Sequence, residues 1–365
     1  NLDYMALSSK ILNLANVEEV PKNFAKAKGK VIGQPGAYSY MFGWSEYYAP
    51  KAAYELMDKG YLVRVAHEEI TLPDDVKMKR GSIIVGKGQS GATDQQLYND
   101  LVKTAEESGI EIHAVTTGYT GGVNIGSPSI DVLQKPEIAI LVDGGVSSSD
   151  AGEVWHLLDQ RFQMPATLLP VDRFNFTDLS RYNVIVFSDG NYNQLGKSGV
   201  EKTKDWVRAG GTAIATGRAL NWFGQNEIAA FKFKNEEGKD TVVQRKYADF
   251  ERAMGAKVTG GAIFNVHLDI THPIGYGYEK PEMFTFRGDN LFMVPSENAY
   301  ANPMVYTANP LASGYIHPSN LEQIKNSGAI RVSAVGRGRV IGFVDNPNFR
   351  GFWFGTNKLF LNAIF

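Results

Sequence analysis

The tripeptide Thr216-Gly217-Arg218 closes a short apolar run, Thr212–Ala215, and opens the segment that ends at Trp222. A strand that turns abruptly into a helix lifts its turn residue above the sheet edge, where an attacking side chain can stand. Here that residue is Thr216 or Gly217, and no neighbouring base activates either. Arg218 can hold an anion beside a helix N-terminus or take part in a salt bridge, and the structural role is favoured. Asp143-Gly144-Gly145 and Ser188-Asp189-Gly190 close two further apolar runs in the same way. Asp143, Gly144, Ser188, Asp189, Thr216, Gly217 and Arg218 are therefore the candidates for lining a ligand cleft.

Other chemistry-bearing groups carry less. Gly86-Lys87-Gly88-Gln89-Ser90-Gly91 matches G-x-G-x-x-G between a strand-like and a helix-like stretch. A dinucleotide site also needs an acid at the end of the next strand, where the sequence has Thr116-Thr117-Gly118. Ser90 sits in a near match to G-x-S-x-G, with Ala92 in place of the last Gly and no fixed acid and His partners. The six histidines include neither an H-x-x-E nor an H-E-x-x-H start. Glu153, His156 and Asp159 or Gln160 share one helix face, which suits a surface ion pair better than a metal. His267, Asp269 and His272 cannot all face one way along a straight strand. The aromatic stretches Tyr38–Tyr48 and Asp345–Trp353 could offer a sugar or peptide platform, although core packing is the commoner use of such residues. No residue is assigned a catalytic or metal-ligating role.

The elements that position these groups alternate. Strands are expected over Glu137–Val142, Ala166–Leu169, Asn183–Phe187 and Thr212–Ala215, and helices over Ala151–Phe162 and Gly199–Ala209. Apolar strands alternating with helices imply a parallel sheet covered on both faces, with ligands at the carboxyl ends of its strands. Before it, residues 1–35 read as a lead-in helix (Leu7–Val17) and loop. Residues 36–120 read as a small α/β domain, with strands Ser39–Trp44, Tyr61–His67, Gly81–Val85 and Ile110–Val115. Its helices are Ser45–Lys59 and Thr93–Ser108. Residues 121–135 read as a linker and 136–365 as the main α/β domain. That domain includes a β-rich excursion at 223–335, with strand-like runs at Ala229–Lys234, Thr241–Gln244, Ala262–Leu268 and Met283–Phe286 and a brief helix at Tyr247–Met254. Gly338–Val344 returns as a buried strand, and Thr356–Phe365 as a helix docked on the sheet.

Composition narrows the function classes. The chain is 43% hydrophobic and 21% charged, enough for an ordinary core. A net charge of −2 gives no electrostatic reason to expect nucleic acid as a partner. No apolar run is long enough to span a membrane. Without cysteine there is no disulfide, thiolate metal site or Cys nucleophile. The start at Asn1 suggests a processed product or part of a longer polypeptide, with any targeting signal outside it.

An ordered set of segments carries a resemblance. It comprises Phe42–Pro50, Ile112–Gly118, Lys135–Val142, Gly152–Asp159, Asp178–Val184, Trp206–Thr212 and Asp345–Gly351. From about residue 36 onward the chain resembles the C-terminal region of bacterial zinc-carboxypeptidase-like proteins of the carboxypeptidase A type. In those proteins a class I glutamine amidotransferase-like domain follows the peptidase domain. The resemblance implies a flavodoxin-like (amidotransferase-like) parallel sheet. It also implies a peptidase domain of the same polypeptide as partner, zinc on that absent domain only, and a periplasmic or extracellular location. The family's zinc motif and the amidotransferase Cys are both missing here, so neither role carries over. The expected function is a non-catalytic accessory region in a proteolytic context, without a cofactor of its own. The alternatives are a hydrolase using Ser90 or the Thr216 turn, and a carbohydrate- or peptide-binding module. A small-molecule, peptide or glycan ligand is the further partner class.

Overall fold

A computed structural model describes residues 28–89, 91–234, 246–256 and 258–365. The expected helix Leu7–Val17, Ser90 and the expected strand Thr241–Gln244 lie outside these residues.

The N-terminal part contains β1 (Lys30–Ile32), β2 (Ser39–Phe42), β3 (Val63–Ala66), β4 (Ile70–Thr71), β5 (Lys77–Met78), β6 (Ile83–Gly86), β7 (Glu111–Val115), β8 (Gly121–Gly122) and β9 (Ile130–Val132). Six of them form a sheet in the order β1-β7-β2-β6-β3-β9, and β5-β4-β8 form a small second sheet. Two helices pack on the six-stranded sheet. Pro50 delays the first, which runs Ala49–Asp58 with the proline in its opening turn. The second, Asp94–Ser108, starts where the Thr93 side chain accepts from the Gln96 N–H, and stops at Gly109 with φ +68. The stretch 121–135, read as a linker, is not free of the sheet, because Arg64 pairs with Val132 and Ala66 with Ile130. Lys30–Ile32, placed in the lead-in region, pairs parallel with Glu111–His113.

The rest supplies β10 (Ile138–Val142), β11 (Ala166–Pro170), β12 (Val184–Phe187), β13 (Thr212–Thr216), β14 (Ala262–Leu268), β15 (Glu282–Arg287), β16 (Met304–Ser313), β17 (Gly328–Val335) and β18 (Gly338–Phe343). They form one nine-stranded sheet in the order β11-β10-β12-β13-β18-β17-β16-β14-β15. From β11 to β18 all pairs are parallel, and from β18 to β15 all are antiparallel. The fold is thus mixed α/β. Counted along the chain, the parallel half has the order 2-1-3-4-5, a common doubly wound arrangement. The β-rich excursion is a direct extension of the same sheet. Ala229–Lys234 does not form a strand there and contributes only the bridge between Phe233 and Met293.

Period-two alternation divides the parallel strands between two cores. Ile138, Ile140, Val184, Val186, Ile214 and Ile341 pack against Val154, Leu158, Phe162 and Phe360 on one face. Ala139, Leu141, Ile185, Phe187, Ala213 and Val340 pack against Trp206, Val207, Trp222 and Phe223 on the other. The helix expected over Ala151–Phe162 starts earlier, as Ser148–Trp155 capped by Ser147, and continues as a π-helical turn over His156–Arg161. The closing helix, Asn357–Ile364, is buried between the sheet and the N-terminal part. There Trp44 Nε1 donates to Asn362 Oδ1 at 2.6 Å, and Lys358 Nζ donates to the carbonyls of Trp44 and Glu46.

Candidate functional site

The crevice at the change of strand order, between β10 and β12, is closed by its own loops. Val146 bridges to Gly190. Ser147 N–H donates to Asp189 O at 2.7 Å, and Asn191 N–H to Gly145 O at 3.1 Å. Asp143 turns the chain at φ +63, its carbonyl accepting from Val146 N–H at 2.9 Å, and the Gly144 carbonyl accepts from the Gln194 amide. Ser188 is fully buried, its hydroxyl without a hydrogen-bond partner among the described residues, while its carbonyl accepts from Tyr192 OH at 2.7 Å. These three candidates shape the turns, and none of them is in the wall of the cavity beside them.

An open cavity lies one step along, beyond the carboxyl ends of β12, β13 and β18. It measures about 200 Å³, and Asp189, Thr216 and Gly217 are in its wall. Sequence reasoning placed these three correctly at strand exits. Asp150, Asp289 and Phe286 are also in the wall and were not named as cleft candidates, while Asp345 and Phe349, also in the wall, fall in the stretch offered only as an aromatic platform. A signal existed for Asp345, since it follows β18, an apolar run read as a buried strand, by the same strand-exit rule that picked Asp189. Nothing local marked Phe286 or Asp289, because β15 reaches the cavity only through the antiparallel extension of the sheet.

Asp189 is the hinge of the elbow. Its carboxylate accepts from Arg218 N–H at 2.7 Å, from Nε at 3.1 Å to both oxygens, and from Nη2 at 2.7 Å. This fork-on-carboxylate geometry is the strong form of an Arg pair. Arg218 thus serves the salt-bridge role. Gly217 adopts φ +55, and a Cβ there would lie 2.6 Å from Asp189 Oδ1. Thr216 is buried at the end of β13.

A second pair sits deeper. Arg287 is fully buried and its Nη1 lies 3.3 Å from Asp345 Oδ2; the Asp345 side chain is 8% exposed. Tyr306 OH donates to the same carboxylate oxygen, and Arg287 also donates to Leu291 O. Burial pushes Asp345 up to about 6, against the lowering pull of Arg287. Burial also raises Asp289, with Asp189 adding repulsion, and raises Glu153, with Asp150 adding repulsion. Asn346 Nδ2 ties Asp150 to Glu153, donating to each at 2.6 Å. Phe286 and Phe349 stack with centroids 3.7 Å apart and planes at 18°.

Several other sequence candidates are held in local hydrogen bonds. The loop after β6 is held by Gln89, whose amide donates to Gly86 O at 2.9 Å and whose oxygen accepts from Leu62 N–H at 3.0 Å. Asp269 accepts from Thr271 N–H and OH, and His272 Nδ1 accepts from Ile274 N–H. Among the described residues no group of three or more His, Cys, Asp or Glu is arranged to hold a metal ion. Trp222 is 4% exposed in the core, whereas Phe352 and Phe354 are exposed beside Trp353.

No protein-family profile and no curated protein matches this chain. Similar solved structures include a ThuA-like protein of Parabacteroides merdae, 15% identical over 63% of this chain and 88% of that one, with a TM-score of 0.38. A ThuA-like protein of Bacteroides uniformis is 12% identical over 65% and 94%, with a TM-score of 0.39. An exo-β-1,4-mannosidase of an Opitutaceae bacterium is 12% identical over 62% of this chain and 35% of that one, at 0.34. At this level of superposition the fold assignment rests on the strand order itself.

Proposed function

We propose that this chain is a non-catalytic accessory region of a zinc metallocarboxypeptidase-like polypeptide. Its main domain is an amidotransferase-like, flavodoxin-type sheet that has lost its reaction and kept a cleft. The observation that supports this most is the state of the elbow. Where an acting sheet of this kind needs a side-chain nucleophile, the chain has Gly217, and the space a side chain would enter holds the Asp189 carboxylate. The nearest hydroxyl, on Thr216, belongs to a buried strand residue. Arg218 then locks Asp189 in place. A peptidase domain of the same polypeptide would be the natural neighbour, and zinc would belong to that domain. Export to the periplasm or beyond would suit such a parent.

The test is turnover by the purified chain. Peptides with a free carboxyl terminus, glutamine amide and an activated ester should all remain intact, with or without added zinc. Steady hydrolysis that disappears on Ser90→Ala or Thr216→Val would overturn the proposal and favour a hydrolase.

A further inference from the structure

The cavity beyond β12, β13 and β18 has a one-sided chemistry. Asp150, Asp189, Asp289 and Asp345 are in its wall, and the described residues lining it include no lysine or arginine. Three guanidinium groups lie nearby, and each already has partners. Arg218 grips Asp189 from its exposed side, and Arg287 lies buried against Asp345, Tyr306 and Leu291 O. Arg350 stands beside Glu153 and over the Phe349 ring, 5.1 Å from its centroid. Three guanidinium groups set against these four carboxylates and Glu153, which shares the Asn346 amide with Asp150, still leave an excess of negative charge.

Asp345 adds an independent observation. Its side chain is only 8% exposed. One oxygen takes the bonds of Arg287 and Tyr306, and the other has no hydrogen-bond partner among the described residues. A buried acceptor left unpaired is costly, and a positive charge in the adjoining cavity reduces that cost. The opposite wall is aromatic. Phe286 and Phe349 are stacked on each other, and the Arg350 guanidinium already lies over the Phe349 ring, so the pair offers an apolar surface for an alkyl group.

We propose that this cavity binds a small organic cation, with a primary ammonium group as the chemistry it fits. The carboxylates of Asp289 and Asp189 supply charged acceptors, Asp345 supplies field from beneath, and the Phe pair receives the alkyl part. A divalent metal fits less well, because the oxygens do not converge on one point. A neutral sugar leaves the anionic excess unanswered. About 200 Å³ is below the ~300–1,000 Å³ typical of drug-sized ligands, so the occupant is short. Burial is the main cause that raises the Asp289 and Glu153 carboxyls, and repulsion from Asp189 and Asp150 adds to it. This inference deepens the accessory-cleft reading and rests on it only in treating the cavity as a ligand site.

Isothermal titration calorimetry on the full chain, at pH 7.5 and fixed ionic strength, tests it with n-butylammonium, tetramethylammonium, 1-butanol, glucose and calcium chloride. Butylammonium should bind saturably and at least about tenfold more tightly than 1-butanol, a difference of about 1.4 kcal/mol. Asp289→Asn should weaken it by about tenfold with an unchanged unfolding temperature, and Phe349→Leu by a smaller factor. Comparable binding of 1-butanol or glucose, displacement of butylammonium by equimolar calcium, or an unaffected Asp289→Asn variant would each overturn the cation site. The turnover assays are read separately. Cation binding accompanied by hydrolysis would uphold this inference and sink the non-catalytic reading, and the absence of both would do the reverse.

Discussion

Asp189 Oδ1 stands 2.6 Å from the point where a Cβ on Gly217 would be, so the carboxylate and any side chain at 217 exclude one another. Gly217→Ala should therefore destabilise by at least about 2 kcal/mol, combining left-handed backbone strain with the clash. In the double variant with Asp189→Ala the loss should be smaller than the sum, with a coupling of about 0.5–3 kcal/mol. Urea unfolding of the four proteins reads this directly. Gly217→Cys should restore no amide hydrolysis, because the same carboxylate blocks the thiol.

Arg287 and Asp345 form a buried pair that is costly to halve. Arg287→Met should destabilise by about 3–5 kcal/mol, since it strands a shielded carboxylate. Adding Asp345→Leu should recover part of that loss, and thermal unfolding of the single and double variants distinguishes the two outcomes. Asp345 also carries a pH signature. Its folded value of about 6 lies above the ordinary 3.8, so between those values the folded state binds more protons than the unfolded one. Its contribution to stability accordingly falls as pH rises through that window.

Lys358 gives the opposite slope on the alkaline side. Burial pulls its ammonium from 10.5 down to about 7, with Glu46 opposing the shift. Between those values the unfolded chain holds the proton and the folded chain has released it, so stability rises with pH from about 7 upward. Lys358→Met should flatten that rise. Unfolding temperatures from pH 7 to 9.5, compared between the variant and the parent, report the difference.

Two tryptophans should behave in contrasting ways. Trp222 is 4% exposed and packs on Phe187 at 5.8 Å, so Trp222→Ala should cost about 3–5 kcal/mol. Trp353 lies at the half-buried edge of the exposed aromatic group, and Trp353→Ala should cost about 1 kcal/mol or less. Any glycan or peptide binding by this region is therefore to be probed at Trp353, with circular dichroism as the control for folding.

The parallel half of the sheet was legible because its strands are apolar on both faces and each ends in a Gly- or Asp-bearing turn. Asp189, Thr216 and Gly217 followed from that rule. Asp143, Gly144 and Ser188 satisfied it equally, and what removed them was backbone pairing between Val146 and Gly190, a long-range event with no local mark. The antiparallel half was visible only as scattered β-like runs. Its strands carry Asn, His, Thr and Pro among their apolar residues, as in Asn265, His267 and Pro310, and the register of β16 on β14 shifts twice. The Arg287–Asp345 pair joins residues 58 apart in the chain, and spacing could not reveal it. Ile130–Val132 looked like linker because Gly, Ser and Pro surround it, yet three backbone pairings with β3 suffice to fix it.

β18, late in the chain, sits in the middle of the sheet, parallel to β13 on one side and antiparallel to β17 on the other. Until residues 338–343 leave the ribosome, two incomplete half-sheets each expose an unpaired border. Such borders recruit foreign strands, and joining them requires contacts far apart in sequence, which slows assembly. Truncations just before Gly338 should thus yield sticky intermediates that gather in inclusion bodies, and chaperone demand during synthesis should peak in that interval.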